Sequence, residues 1–563
     1  MKELNCGPFR LIYQNGFVRY IRYGDREILR MIYVALRDEN WGTHPLRIYD
    51  EVVDAGHETF SIQYKADSHS DDTTLIRWSA TIQGSSTGEI TFTIDGEVVA
   101  DHRKNRAGFC ILHPLRETIR QPVIIRHDDG TTTEHTFPEY IAPEDPFVDI
   151  VHMKWRIDSH WYSLAFSGDV FETEDQRNWS DASFKTFCTP LSKPFPVELR
   201  KGERINQVIT FKPEQPLEKV FSSEVIEITT TSKEVTLPAI GIGSSPSEGF
   251  TEDILKALRT IRLDHYRVDV DLSNIEWQDS FTNDVLISER LALPLEIVMH
   301  LPQDPRDVLD DFLKLFDKER VPVRKITLLS KRELTTREHH LEFIPLLKSM
   351  FPTAAVGAGT DFNFTELNRD RFPVSSADFV TFGLDPQEHA SDDMTIIENL
   401  EAQYYGVISA RNIYETAVHV SPVLLKRKFN PYATNPAAFH IPEEDRTEPR
   451  QKTPFCATWT LGSIKQMVSA QAGCVTYFQA VGPHGVISNE GEEYPVFRAL
   501  KLLRETGHDK AFETRSSQPL TVDGIAFQNG AILLWNYTGS EQTISIPERD
   551  LKVTVGPAEF IVI

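Results

Sequence analysis

The hydrophobic period of this chain switches near Pro238, and that switch constrains the fold more than any other feature. From residue 8 to about 236, short apolar runs alternate with polar residues, as in FRLIYQNGFVRYIRYGDREILRMIYVAL, TLIRWSATI, EITFTIDGEVVA and INQVITFKP. Turn residues punctuate them at NG (15–16), GD (24–25), DDG (128–130) and KGE (201–203). A period of two held this long with such breaks predicts a β-sandwich of many strands. Segment 215–237 reads as a closing strand pair and linker.

Beyond Pro238 short apolar strands alternate with helical stretches. Strands are predicted at 239–243, 266–272, 295–301, 323–330, 354–359, 377–382, 417–423 and 474–480. Helical candidates between them include TEDILKALRTI, DPRDVLDDFLKLFDKER, REHHLEFIPLLKSMF and MTIIENLEAQYYGVISARNI. In the second of these Asp304 is expected as N-cap and Pro305 as the first helical residue. Eight strand–helix units match the size and order of a (β/α)8 TIM barrel, for which about 250 residues is usual. An open doubly wound sheet is the runner-up, but no GxGxxG follows the first strand. After VFRALKLLRETG the period returns to two, in a tail too short to hold a core alone. The division expected is therefore an N-terminal β-sandwich (1–236), a barrel (237–505) and a small C-terminal β-sandwich (506–563).

Charge and composition narrow the function. With 59 basic against 83 acidic residues the net charge is 59 − 83 = −24, which argues against nucleic acid and against an anionic membrane surface as partner. No run is apolar enough for a membrane helix, and MKELNCGPFRLIYQNG lacks an export core. The five scattered cysteines, with no CxxC, read as reduced packing residues of a cytoplasmic protein. GxSxG, GxxxxGK[ST] and HExxH are missing, so serine hydrolase, nucleotide hydrolase and dedicated zinc readings lose their usual support.

Barrel enzymes build their sites on the loops after the strands. Those positions here carry Asp269, Asp271, His300, Ser330, Lys331, Glu333, Asp361, Asn363, Glu366, Asp385, Glu388, His389, Lys426, Arg427, Asn430, His484, Asn489 and Glu490. The densest stretch is GTDFNFTELNR (359–369), where Gly357 and Gly359 permit close backbone approach and Asp361, Asn363 and Glu366 suit a polyol; an ordinary loop with Asx turns uses the same residues. FGLDPQEHASDD (382–393) sets a carboxylate, Asp385, near an imidazole, His389, a pairing fit for acid–base work, although Asp-Pro also opens turns. FETEDQRNWSDASFKTF (171–187) concentrates Glu174, Asp175 and Trp179, an aromatic face among charges that suits a sugar and equally a solvated loop. No cofactor and no metal site are expected, while loop carboxylates such as Asp361 and Asp385 leave room for a magnesium or calcium ion.

A sandwich, a barrel and a small β domain resemble many glycoside hydrolases. In the large retaining clan the acid/base glutamate follows an asparagine at the end of strand four and the nucleophile ends strand seven. Here those ends read LLSKRE and HVSPVLLKRK, without the expected residues. NRAGFCILHP (105–114) resembles the supersandwich of galactose-mutarotase-like domains. Together with FETEDQRNWSDASFKTF, HVSPVLLKRKFNPYAT (419–434) and NEGEEYPVF (489–497), it makes the whole chain similar to the D-apionate lactonase family, bacterial enzymes of apiose catabolism that open D-apionolactone to D-apionate. That resemblance implies a hydrolase of carbohydrate metabolism acting on a small sugar lactone. It transfers no catalytic residue. The chemistry needs a base for water, a donor for the oxyanion and an acid for the ring oxygen. Asp361, Glu366 or the Asp385/His389 pair is expected to supply base and acid. Lys331, His300 or Arg427 would face the oxyanion, and Glu174, Asp175, Trp179, Asn363 and Asn489 would hold hydroxyls. The alternatives are a glycosidase with an atypical carboxylate pair, the inverting kind included, and an inactive carbohydrate-binding protein. Oligomeric state is left open.

Overall fold

The computed structural model describes residues 1–70, 72–220, 225–316, 321–431, 439–507 and 510–563. Parts of three segments cited above, 221–224, 317–320 and 432–434, lie outside the described residues. The chain divides into two compact units, one of Met1–Gln176 with Ala182–Glu224, the other of Arg177–Asp181 with Val225–Ile563.

The first unit is an antiparallel β structure of 17 linked strands. Its period-two sequence produces the expected alternation: in Phe60–Ser70 and Ile90–Val98, residues such as Phe60, Ile62, Tyr64, Phe92 and Ile94 are buried while their neighbours face out. Some strands break the rule, two of them along their whole length. Phe171–Asp175 and Ser183–Phe187 pair with each other and are buried on both faces, polar residues included.

In the second unit eight parallel strands close into a barrel: β1 (Ala239–Gly243), β2 (His265–Asp271), β3 (Leu295–Leu301), β4 (Val323–Ser330), β5 (Ala355–Gly359), β6 (Phe379–Leu384), β7 (Ala417–Val423) and β8 (Cys474–Gln479). Closure comes from pairing of β1 with β8. Two of the helical candidates break in the middle. REHHLEFIPLLKSMF forms Glu338–Leu341 and Ile344–Met350, the second with Pro345 in its first turn, where a missing N–H is tolerated. MTIIENLEAQYYGVISARNI divides at Asn399 into Asp393–Glu398 and Leu400–Tyr414. The helix after β3 begins one residue later than expected, with Pro305 itself at the N-cap and Arg306 first.

The C-terminal division differs from the sequence reading. The seven-stranded sheet of the tail includes Ile226–Thr236, assigned above to the sandwich, which pairs antiparallel with Lys510–Ser516 and parallel with Gln542–Ile546. The reason is burial: the tail's own strands supply Val522, Ile532, Leu534, Ile544 and Val555, and Ile226 and Ile228 complete that core. Lys465 on the helix Pro454–Ser469 makes a buried ion pair with Asp523 of this sheet. No helix among the described residues is long and apolar enough to cross a membrane.

Candidate active site

Strand β2 carries His265, Arg267, Asp269 and Asp271 at alternate positions between Tyr266, Val268 and Val270. Side chains two apart share a face of a strand, so this charged row lies on one side of β2 and the apolar row on the other. Facing it are Glu296 of β3, Lys325 of β4, Ser421 of β7, and Cys474 and Thr476 of β8. Barrel interiors are usually filled by branched aliphatics; this one holds an ionic ladder. Glu296 accepts from His265 Nε2 (3.0 Å), Lys325 Nζ (3.2 Å), Ser421 Oγ (2.9 Å) and Thr476 Oγ1 (2.5 Å). Burial opposes its charge, but Lys325 and His265 outweigh that and hold Glu296 well below the usual carboxylate range.

The ladder ends at the C-terminal mouth. Arg267, buried, donates through Nη1 to Ser421 Oγ (2.9 Å) and through Nη2 to Asp269 Oδ1 (2.6 Å) and Asp361 Oδ1 (2.8 Å). His300 Nε2 lies 3.4 Å from Asp361 Oδ2 and 4.0 Å from Asp269 Oδ1, and Lys428 Nζ lies 3.3 Å from Asp269 Oδ2. Burial works against ionisation of Asp269, yet Arg267, Lys428 and His300 overcome it and drive its pKa far down. Lys331 is paired with Asp271.

Two cavities open at this mouth, both lined by Asp361, Phe362 and Phe429. One, of about 530 Å³, is also lined by Arg267, Asn363, Glu366, Asp385, Glu388 and Arg427. The other, of about 940 Å³, is also lined by Asp269, Asp271, His300, Lys331, Phe439 and His440. Phe362 meets Phe429 and Phe439 edge-on at 6.1 and 6.0 Å, forming the apolar wall between them.

Glycines set the loops after β5 and β6 side by side. A Cβ on Gly359 would fall 2.0 Å from Thr381 O, and one on Gly383 would fall 2.4 Å from Asp361 O; Gly383 N donates to Phe362 O at 2.7 Å. Asp385 follows at once, buried, with Glu388 beside it and Arg427 bonded to Glu388. Burial first, and then the Glu388 charge, push the Asp385 carboxyl up to about 7 against the pull of Arg427. Asn363 Nδ2 reaches Glu388 Oε2 at 3.4 Å.

The structure thus brings together Asp361, Glu366, Asp385, Asn363 and Arg427 around one cavity and His300 and Lys331 around its neighbour. His389 is not among the residues lining these two cavities; its Nδ1 donates to Asp181 Oδ2 at 2.5 Å and its ring meets Trp179 edge-on at 5.9 Å. Trp179 carries the Arg369 guanidinium over its face. Glu174 and Asp175 lie in the first unit, Glu174 paired with Lys185 at 2.7 Å and Asp175 accepting from Ala142 N at 3.0 Å. Asn489 is exposed in a turn after β8. Sequence reasoning missed Arg267, Lys428 and the phenylalanine wall. A signal for Arg267 existed: charged residues at 265, 267, 269 and 271 in an otherwise apolar strand mark an inward polar face.

Asp269, His300 and Asp361 also hold their ligand atoms within 4.8 Å of one another, a spacing open to a cation. Both carboxylates already face cations of the chain, Arg267 and Lys428, so a divalent ion there would meet two fixed positive charges.

A family model of the D-apionate lactonase N-terminal domain matches residues 1–216, and one of the D-apionate lactonase TIM barrel domain matches 240–508. The chain belongs to the D-apionate lactonase family. A relative from Brucella anthropi described as D-apionate lactonase is 29% identical, covering 99% of this chain and 95% of its own. Among solved structures, a family 51 α-L-arabinofuranosidase from Bifidobacterium longum is 11% identical over 61% of this chain and 95% of its own, with a TM-score of 0.41. A family 30 xylanase from Clostridium acetobutylicum is 10% identical over 60% of this chain and 99% of its own, also at 0.41. Of the three residues that line both cavities, Asp361 is the charged one.

Proposed function

We propose that the barrel mouth opens a sugar-acid lactone by hydrolysis, D-apionolactone to D-apionate in the first instance, without a covalent enzyme intermediate. One observation carries the site: Asp361 lies at the junction of both cavities, held by Arg267 and facing His300 in one of them, while a carboxyl pushed up to about 7, Asp385, lines the other. The family supplies the substrate class, since the Brucella anthropi relative is described as D-apionate lactonase.

Each group has a task set by its surroundings. His300 sets Nε2 3.4 Å from Asp361 Oδ2, and Nδ1 is the ring nitrogen assigned to take a proton from the attacking water. Arg267 keeps Asp361 aligned for that contact. Lys428, 3.3 Å from Asp269, supplies positive charge near the developing oxyanion. Asp385, protonated near neutral pH, gives its proton to the departing ring oxygen. The product ionises, so each turnover releases one proton. The phenylalanine wall covers the C–H face of the ring, and Asn363 and Glu366 take hydroxyls.

This reading needs no cofactor, and a small sugar lactone is the partner it requires. The five cysteines, all buried and unpaired, fit a reducing cytoplasm. A retaining glycosidase would need two carboxyls about 5 to 5.5 Å apart; here β4 ends in Ser330, bonded to His340, and β7 ends in Val423. A pH-stat assay decides: D-apionolactone is consumed with proton release, and aryl glycosides are left intact. Chromophore release without lactone turnover would sink the reading.

A further inference from the structure

The segment Arg177–Asp181 lies in sequence between two strands of the first unit but belongs to the compact unit of the barrel. Arg177, Asn178 and Asp181 are buried and meet the elements that follow β5 and β6. Asn368 Nδ2 donates to Asn178 Oδ1 at 2.9 Å, and the Arg177 guanidinium lies 4.8 Å from the centre of the Tyr405 ring. Asp181 holds two groups directly and a third through one of them. Its Oδ2 accepts from His389 Nδ1 (2.5 Å), its Oδ1 accepts from Asn399 Nδ2 (3.2 Å), and the same Asn399 amide donates to Pro386 O (3.0 Å). Asp385, Pro386 and His389 sit on one five-residue loop, so Asp181 fixes its far end directly and its near end through Asn399. Gln387 anchors the middle to Leu425 O (2.6 Å) and Glu448 Oε2 (3.0 Å).

We propose that Asp181 is a positioning residue of the lactone-opening site, holding the Asp385–His389 loop through His389 and Asn399 while Asn178 holds the Phe364–Arg369 helix through Asn368. His389 is then a strut of this clamp, and the Trp179 segment serves geometry and not sugar binding. This rests on the lactonase reading above. The physical reason is distance tolerance: a displaced acid group loses rate steeply, and a buried, doubly bonded carboxylate is a stiff anchor. The charged groups facing Asp385 are Glu388 on its own loop, Arg427 from the loop after β7, and Asp181.

The test uses the full chain and Asp181→Asn, read three ways. The wild-type enzyme first turns over D-apionolactone, which decides the lactone reading alone. In the variant kcat is expected to fall about tenfold to a hundredfold with KM within about twofold. Its alkaline limb moves to lower pH, because an anion near Asp385 is gone. Amide hydrogen exchange of the 385–390 peptide rises while that of the barrel strands does not, a readout independent of turnover. A variant with wild-type kcat and pH profile overturns the clamp, whatever its exchange. If wild type turns over no lactone, the lactone reading fails and unchanged exchange overturns the clamp on its own. Should Asp181→Asn melt far below wild type, the His389 variants decide: Gln, which keeps a donor, retains most of kcat and Ala loses it, and equal activity of the two overturns the proposal.

Discussion

Asp269, half-buried, and Asp385, buried, stand at the mouth of one barrel, and their neighbours send them in opposite directions. Asp269 has Arg267, Lys428 and His300 around it and stays ionised far into acid. Asp385 has Glu388 nearest in effect, with Arg427 shared between them, and holds its proton up to about 7. Burial penalises charge at both positions, so the sign of the nearest charge decides the outcome. Two carboxyls set apart in this way are what acid–base chemistry at neutral pH requires. The side around Arg267 presents fixed charge, and the side around Asp385 presents a movable proton.

The largest effect is expected on the fixed-charge side. Arg267→Met strips the guanidinium from Asp269 and Asp361 at once, and breaking a buried pair costs about 3 to 5 kcal/mol. Chemical denaturation would show that loss, and turnover would fall to background; a variant as stable as wild type would break the comparison. Asp361→Asn keeps the shape and removes the charge that orients His300. Its kcat is expected to fall by about 10² to 10⁴ with the melting temperature nearly kept.

On the movable side the expected change is in pH. Asp385 acts while protonated, so activity falls as pH rises through about 7. Glu388→Gln removes the anion that opposes Asp385 ionisation and releases Arg427 toward it, so the alkaline limb moves to lower pH. A limb that stays in place, followed by kcat/KM against pH, would assign the proton to another group. Smaller still, a chelator is expected to leave turnover unchanged, because Arg267 and Lys428 already balance the Asp269 and Asp361 carboxylates; reactivation of a chelated sample by a divalent ion would overturn this. Asn489→Ala is expected within about twofold of wild type in KM, since an exposed turn residue rarely contributes more than a few tenths of a kcal/mol.

Much of the fold was legible because periodicity is local. The eight barrel strands fall within two residues of their sequence positions at either end, since an apolar run bounded by polar helices announces itself. The strand at Ile226–Thr236 was assigned to the wrong side of a boundary, because its own pattern does not tell which sheet will hydrogen-bond to it. The same limit governs the site. Asp361, Glu366, Asn363 and Asp385 stand out in the sequence by density of polar residues on two short loops, and all four line one cavity. Arg267 was passed over because a charge inside a strand looks like a solvent face until the barrel closes around it.

By itself, then, the sequence determined the order of β region, barrel and β tail, and it carried the likeness to the lactonase family. The order follows from spacing along the chain, and the likeness rests on particular segments. Only the tertiary structure decided that Arg267 clasps Asp361, that Asp385 keeps its proton beside Glu388, and that Asp181 bonds to His389 across 208 residues. Protonation and orientation depend on which charges lie within a few ångströms and how much water is excluded, and those distances exist only once the chain has closed on itself.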